Sequence, residues 1–155
     1  MAAAQMAAWC RDHRRVSPAC LPGYRLAFLR DSPRWLAGAA DLARSPRGAV
    51  WGVLWEVSER DLAALDVKEY LSGSGYRRLE VEVRTAGGST RRAITYEVVR
   101  KSRRELEPLP RYLDLMLAGA REARLPRHYV AGLERLRGRA IRSRLGPGGS
   151  RHRPG

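Results

Sequence analysis

The sequence predicts an α+β domain in which a small mixed β-sheet curls toward a barrel and helices pack around it. Three observations carry this. Residues 49–57, "AVWGVLWEV", form a near-continuous apolar run rich in valine and tryptophan. Two runs at 76–85 and 91–99 flank "AGGST", which reads as a hairpin turn. Stretches with helical spacing of apolar residues stand between and after the strands. At 155 residues the chain is one domain by length, with enough surface to bury a real core. No internal repeat interrupts this pattern.

Taken in order, residues 2–14 read as an alanine-rich helix with Met6 and Trp9 at helical spacing. Pro18 and Pro22 punctuate the next stretch. "GYRLAFLRD" (23–31) reads as a strand with Tyr24, Leu26 and Phe28 on one face. In "SPRWLAGAADLARSPRG" a short strand is expected near 39–43, then a turn at "SPRG". The run at 49–57 is expected to be buried on both faces. Within it Gly52 marks close approach by another backbone or a ligand, and Trp51 and Trp55 on the opposite face serve the core. Ser58 is a helix N-cap supported by Asp61, and the helix turns Leu62 and Leu65 inward. Residues 76–85 alternate. Leu79, Val81 and Val83, with Arg77, face the core, and Tyr76, Arg78, Glu80, Glu82 and Arg84 face solvent. After a polar connector, 111–123 and 126–140 are two amphipathic helices, with Pro126 at the first helical position. From Ser143 the chain is mainly glycine, proline, serine and arginine, a composition too polar to order itself. The expected organisation is a domain over 1–142 and a disordered basic tail over 143–155.

The net charge of +14 invites a nucleic-acid reading. All the basic residues except Lys68 and Lys101 are arginines, alongside abundant alanine and glycine, a bias that a GC-rich genome produces unaided. Residues 135–155 hold seven arginines and no acid, so half the excess lies at one end, and the tail carries no aromatic side chain. That footprint argues against nucleic acid as a partner. The sequence has no run of eighteen apolar residues, and the N-terminus lacks the pattern of a signal peptide. The reading is therefore no membrane partner and a cytoplasmic location. Cys10 and Cys20 are the only cysteines, and Cys10 with His13 is too small a ligand set for zinc, so no metal and no cofactor are expected. No nucleophile, histidine and acid stand at the spacing of a hydrolase, and the glycine-rich stretches are not phosphate loops.

One residue stands apart. Glu69 ends the helix that begins at Ser58, off its apolar stripe and without a partner at the favoured spacing. Asp66 lies three residues earlier, and like charges there oppose ionisation of both carboxyls. The pattern leaves two readings open: a solvated charge at a helix end, or a carboxyl turned into a cavity, where burial suits it to accept and return a proton.

"VWGVLWEVSERDLAALDVKE" (50–69) resembles the central signature of the gamma-glutamylcyclotransferase-like family, a tryptophan-glycine strand leading to a helix that ends Leu-Asp-x-x-Glu. "GYRLAF" (23–28), "YRRLEVEV" (76–83), "AITYEV" (93–98) and "YLDLMLAGAREARLPRHYV" (112–130) come in the family's order. The resemblance implies a small barrel ringed by helices, with a cavity at one end. It also implies a cofactor-free enzyme, a carbon–nitrogen lyase that cyclises a small gamma-glutamyl substrate to 5-oxoproline and releases an amine or amino acid. Glu69 matches the family's glutamate and would be its general acid and base; Tyr112, Gly52 and Tyr76 are candidate substrate-binding residues, each with a packing role as the alternative. The family opens with a strand and a Tyr-Gly-Ser-Asn-Leu loop, and neither lies in residues 1–155. The expectation is a barrel lacking its first strand. The reason is either a start site assigned too late or a shortened relative with impaired catalysis. Tyr70 stands where the family has glycine, and Leu109 where it tends to have serine.

Overall fold

The computed structural model describes residues 3–32, 37–71 and 75–145, with side chains throughout except at 70 and 71. Most of the expected tail, 146–155, residues 72–74 and the Tyr70 side chain lie outside this description. The elements are α1 (Ala3–Ala7), β1 (His13–Ser32), β2 (Ala37–Val57), α2 (Glu59–Leu71), β3 (Tyr76–Thr85), β4 (Thr90–Val98), α3 (Pro110–Glu122) and α4 (Arg127–Leu145). The strands form one antiparallel sheet in the order β2-β1-β3-β4. The α+β class stands, but the sheet is antiparallel rather than mixed, and among the described residues no ladder closes it into a barrel.

Two long strands replace the several short pieces expected over 2–57. The first helix stops at Ala7, and β1 is already paired at His13, opposite Val57. Pro18 and Pro22 lie inside β1 rather than between elements. Pro22 opposes Ala49 and Tyr24 opposes Arg44, so Gly23 alone faces residues 45–48. This is a bulge: Gly23 takes the left-handed φ of 78°, and the "SPRG" segment bows outward within β2 instead of reversing the chain. Gly48 allows that close approach, since a Cβ there would lie 2.5 Å from the Tyr24 carbonyl. Pro22 sits at this bulge and Pro18 shortly after the register shift between Arg15 and Ser17, so the prolines mark irregularities within the strand and not its end.

β3 and β4 pair along their whole length from Tyr76–Val98 to Arg84–Thr90, and β1 meets β3 only at Ala19–Thr85 and Cys20–Arg84. The sheet curls, and its two outer strands approach each other. A buried carboxylate ties them. Asp41 of β2 accepts a hydrogen bond from the Val98 amide at 2.9 Å, and its other oxygen lies 3.1 Å from the Lys101 ammonium, an ion-pair contact without hydrogen-bond alignment. Lys101 also donates to the Leu42 carbonyl and to Glu97.

The helices cover the sheet through distinct apolar clusters. Leu117, Ala120, Leu125 and Leu133 pack on Trp51 and Val53 of β2, and Tyr129 hydrogen-bonds the Trp51 backbone. Leu113, fully buried, joins Phe28 and Ala140. Met6, Cys10 and Leu65 gather around Trp55 and Val57. α3 ends in a Schellman motif: the Leu125 amide donates to Ala120 and the Arg124 amide to Arg121, with Arg124 at φ 54°. Pro126 sits one position before α4 and supplies its first acceptor carbonyl, to Tyr129 and Val130. α4 continues past residue 142 to Leu145.

Candidate active site

The cleft that the curled sheet leaves open has a volume of about 550 Å³ and is lined by all four strands and α2. Its wall is chiefly aliphatic, from Leu21, Leu42, Val50, Leu54 and Val83 among others, with Trp55, Tyr96 and Glu69 at the α2 side. The run at 49–57 was expected to be buried on both faces. Residues 50–55 are instead half-buried throughout, because the cleft takes the place of a packed layer.

α2 starts as the sequence predicts. Ser58 Oγ accepts from the Asp61 amide at 3.2 Å, and Leu65 is buried. The Asp61 carboxylate turns away from the cap to accept from the Asp12 amide at 2.6 Å, which anchors the chain entering β1 to the helix start. At the other end the helix delivers Glu69 to the cleft wall, its side chain 18% exposed. It has a partner that spacing rules do not favour: Lys68 Nζ lies 2.8 Å from Glu69 Oε1, and the same ammonium sits over the Trp9 ring at 5.8 Å.

Asp66 does not oppose Glu69 in the expected way. Arg78 Nε donates to Asp66 Oδ1 at 2.8 Å, a second guanidinium nitrogen contacts Oδ2, and the Tyr96 hydroxyl donates to Oδ1 at 2.7 Å. The Arg78 guanidinium holds the Asp66 carboxyl below the usual carboxylate range, against the opposing effect of burial. Arg78 was placed on the solvent face of β3; it does face outward, and there it neutralises the carboxylate next to Glu69.

Three tyrosines surround Glu69 electrostatically. Burial pushes the Tyr76 hydroxyl up to about 12, and it raises Tyr96 and Tyr112 as well; the negative charge of Glu69 adds to all three. Tyr76 donates to the Ala40 carbonyl at 2.8 Å, and Tyr112 accepts from the Ala40 amide at 3.1 Å. The two hydroxyls thus hold one residue of β2 from both sides, and the Arg30 guanidinium lies 5.1 Å over the Tyr76 ring. Tyr76, expected on the solvent face, is mostly buried because it reaches back to this residue. Gly52 lines the cleft, and a Cβ built there meets nothing within 4 Å, so no neighbouring backbone demands glycine at this position. The structure brings Glu69 and Gly52 to the cleft lining, whereas Tyr76 and Tyr112 meet on Ala40 and do not line the cleft. Sequence reasoning missed Tyr96 and Lys68. Tyr96 was legible only as an alternating strand residue. Trp55 also borders the cleft, with its indole N–H buried and without an acceptor among the described residues.

An open antiparallel sheet with an α2 carboxylate in its cleft defines the class of fold to compare. The AIG2-like family matches residues 49–133, the span from β2 to α4. The chain is 31% identical over 107 residues to the gamma-glutamylcyclotransferase of Bos taurus and 30% identical over 107 residues to that of Homo sapiens, covering 69% of this chain and 56% of each relative. It therefore spans little more than half the length of the curated relatives it matches. A solved structure titled gamma-glutamyl cyclotransferase superposes with a TM-score of 0.79 at 26% identity, covering 86% of this chain and 80% of that one. The chain belongs to the AIG2-like family and, within it, to the gamma-glutamylcyclotransferase-like proteins.

Proposed function

We propose that this protein is a gamma-glutamylcyclotransferase-like enzyme with Glu69 as its general acid and base. The observation that carries the proposal is the Glu69 carboxylate, largely withdrawn from water in the wall of an open cleft and already holding a primary ammonium, that of Lys68. A gamma-glutamyl substrate brings an ammonium of the same kind on its α-carbon, and it competes with Lys68 for that seat.

In the reaction Glu69 takes a proton from the substrate's α-amino group. The freed nitrogen attacks the γ-carbonyl of the same molecule, the bond to the departing amine breaks, and Glu69 returns a proton to that amine. The attacking nitrogen ends as the lactam N–H of 5-oxoproline and the protons it sheds leave with the amine, so no water is consumed. Intramolecular attack needs mainly a folded substrate, and orientation of this kind is worth up to about 7–11 kcal/mol. Proton shuttling adds about 10²–10⁴-fold. Gly52 leaves room for the substrate chain. Tyr76 and Tyr112, through Ala40, support the wall beside the carboxylate.

The test is product identity. The full gene product is incubated with a panel of gamma-glutamyl amino acids and amines in ¹⁸O-labelled water. The expected product is 5-oxoproline without label, together with the free amine. Labelled glutamate would show hydrolysis and overturn cyclisation; no turnover of any substrate in the panel would overturn the proposal.

A further inference from the structure

Away from the cleft, the outer face of α4 gathers arginines that are scattered in the sequence. Arg127, Ala131, Arg135, Gly138, Arg139 and Arg142 keep helical spacing down one side of the helix. The Schellman turn before it projects Arg124 to the same end. Two shallow open depressions of about 520 and 470 Å³ run along this stripe and meet at Ala131 and Glu134. From Arg127 to Arg142 the trough is about 22 Å long at 1.5 Å per residue.

The charge of this trough is uncompensated. Several arginines elsewhere pair with acids, as Arg14 with Glu56, Arg25 with Glu105, Arg77 with Glu97 and Arg137 with Asp114, and those left exposed without an acid do not line up along one helix face. On the stripe the one acid, Glu134, is taken by Arg121 at 2.6 Å. Arg124, Arg127, Arg135, Arg139 and Arg142 are exposed and have no hydrogen-bond or ion-pair partner among the described residues. Arg135, Arg139 and Arg142 stand at i, i+4 and i+7, a spacing at which like charges repel. A ligand bearing several negative charges relieves that repulsion. Guanidinium forks suit phosphate oxygens. At 3.4 Å per phosphate along one strand, the trough spans about six phosphates.

We propose that the α4 trough binds the phosphodiester backbone of nucleic acid, without base preference, at a site independent of the Glu69 cleft. Backbone rather than base recognition is expected because no aromatic side chain lines either depression to stack a base. Nucleic acid is favoured over an anionic lipid surface because no exposed large apolar side chain lies between Arg127 and Arg142 to enter a bilayer, and because the surface is concave.

The experiment is fluorescence anisotropy with a labelled 20-nucleotide DNA, single-stranded and duplex, from 50 to 200 mM salt. It compares the full chain, a trough triple variant (Arg135→Gln, Arg139→Gln, Arg142→Gln) and an equal-charge control (Arg100→Gln, Arg103→Gln, Arg104→Gln) on the connector after β4. Thermal melting confirms that each is folded. Duplex binding is expected in the micromolar range, with a log–log salt slope of about −4.5 for some five phosphate contacts. The trough variant should flatten the slope by about 2.7 and weaken binding more than tenfold at 50 mM salt, while the control stays within about twofold. Equal losses in both variants would show binding by net charge alone and overturn the site. So would an unchanged slope in the trough variant. Binding to phosphatidylserine vesicles without binding to DNA would assign the trough to membranes and overturn the nucleic-acid proposal.

Discussion

Replacing Gly52 separates the cleft's role in folding from its role in binding. Glycine in a strand interior costs roughly 0.5–1 kcal/mol relative to alanine, through the extra freedom of the unfolded chain. A Cβ at Gly52 meets nothing within 4 Å, so Gly52→Ala recovers that cost without a clash. For a chain of 155 residues the gain corresponds to a rise in Tm of about 1–4 °C. Gly52→Leu starts from the same open Cβ position and extends a larger side chain into the 550 Å³ cleft where the substrate chain is proposed to lie. Losing one close-fitting part of a bound substrate costs about 1.4–2.7 kcal/mol, a 10- to 100-fold loss in kcat/KM. Because this contact is made equally in ground and transition states, the loss should appear mainly in KM. The assay pairs calorimetric melting with 5-oxoproline release over a substrate titration. A fall in Tm for Gly52→Ala would show that the space is not free. A Gly52→Leu variant with unchanged kcat/KM would show that substrate does not occupy this cleft.

Further outcomes rest on other contacts of the fold. Leu113→Ala, at the fully buried junction of α3 with Phe28 and Ala140, should cost about 2–5 kcal/mol, read by urea unfolding. Lys101→Met leaves the wholly buried Asp41 carboxylate with only the Val98 amide; because Lys101 is itself a third exposed, the loss should fall below the 3–5 kcal/mol of a fully buried pair, about 2–3 kcal/mol. The Asp66 carboxyl is held low by Arg78, so it contributes stability above the unfolded carboxylate value of about 3.9, and that contribution disappears as pH falls through the lower folded value. Asp66→Asn should therefore be less stable than wild type at neutral pH and converge with it in acid, measured by melting between pH 7 and pH 2.

The residues that could be read from the sequence were those whose local pattern matched their environment. The Ser58 cap, the core side of β3 with Leu79, Val81 and Val83, the "AGGST" hairpin and the two C-terminal helices all answer to short-range rules. The long strands did not. In β1, Pro18 and Pro22 look like breaks, yet Pro22 adjoins the bulge at Gly23 and Pro18 stays paired just past the register shift between Arg15 and Ser17, while the opposing 45–48 segment looks like a turn because it bows out at the same bulge. The openness of the sheet was equally hidden, since an apolar strand such as 49–57 reads alike whether a layer or a cleft lies over it. At the site, Glu69 was found through motif resemblance, not through periodicity. Lys68 adjoins it in sequence at a spacing that pairing rules pass over, whereas Tyr96 and Arg78 depend on how α2 docks against β3 and β4, a relation between elements that no local window contains.

The proposed ring closure rests on one carboxylate that moves the proton. Its most direct test is kcat for 5-oxoproline release by wild type and Glu69→Gln, measured on folded protein of equal Tm with saturating substrate. The isosteric amide keeps the shape of the wall and removes the base, so kcat should fall about 10²–10⁴-fold with KM changed far less. A Glu69→Gln protein that turns over at the wild-type rate would contradict general acid–base catalysis by this residue.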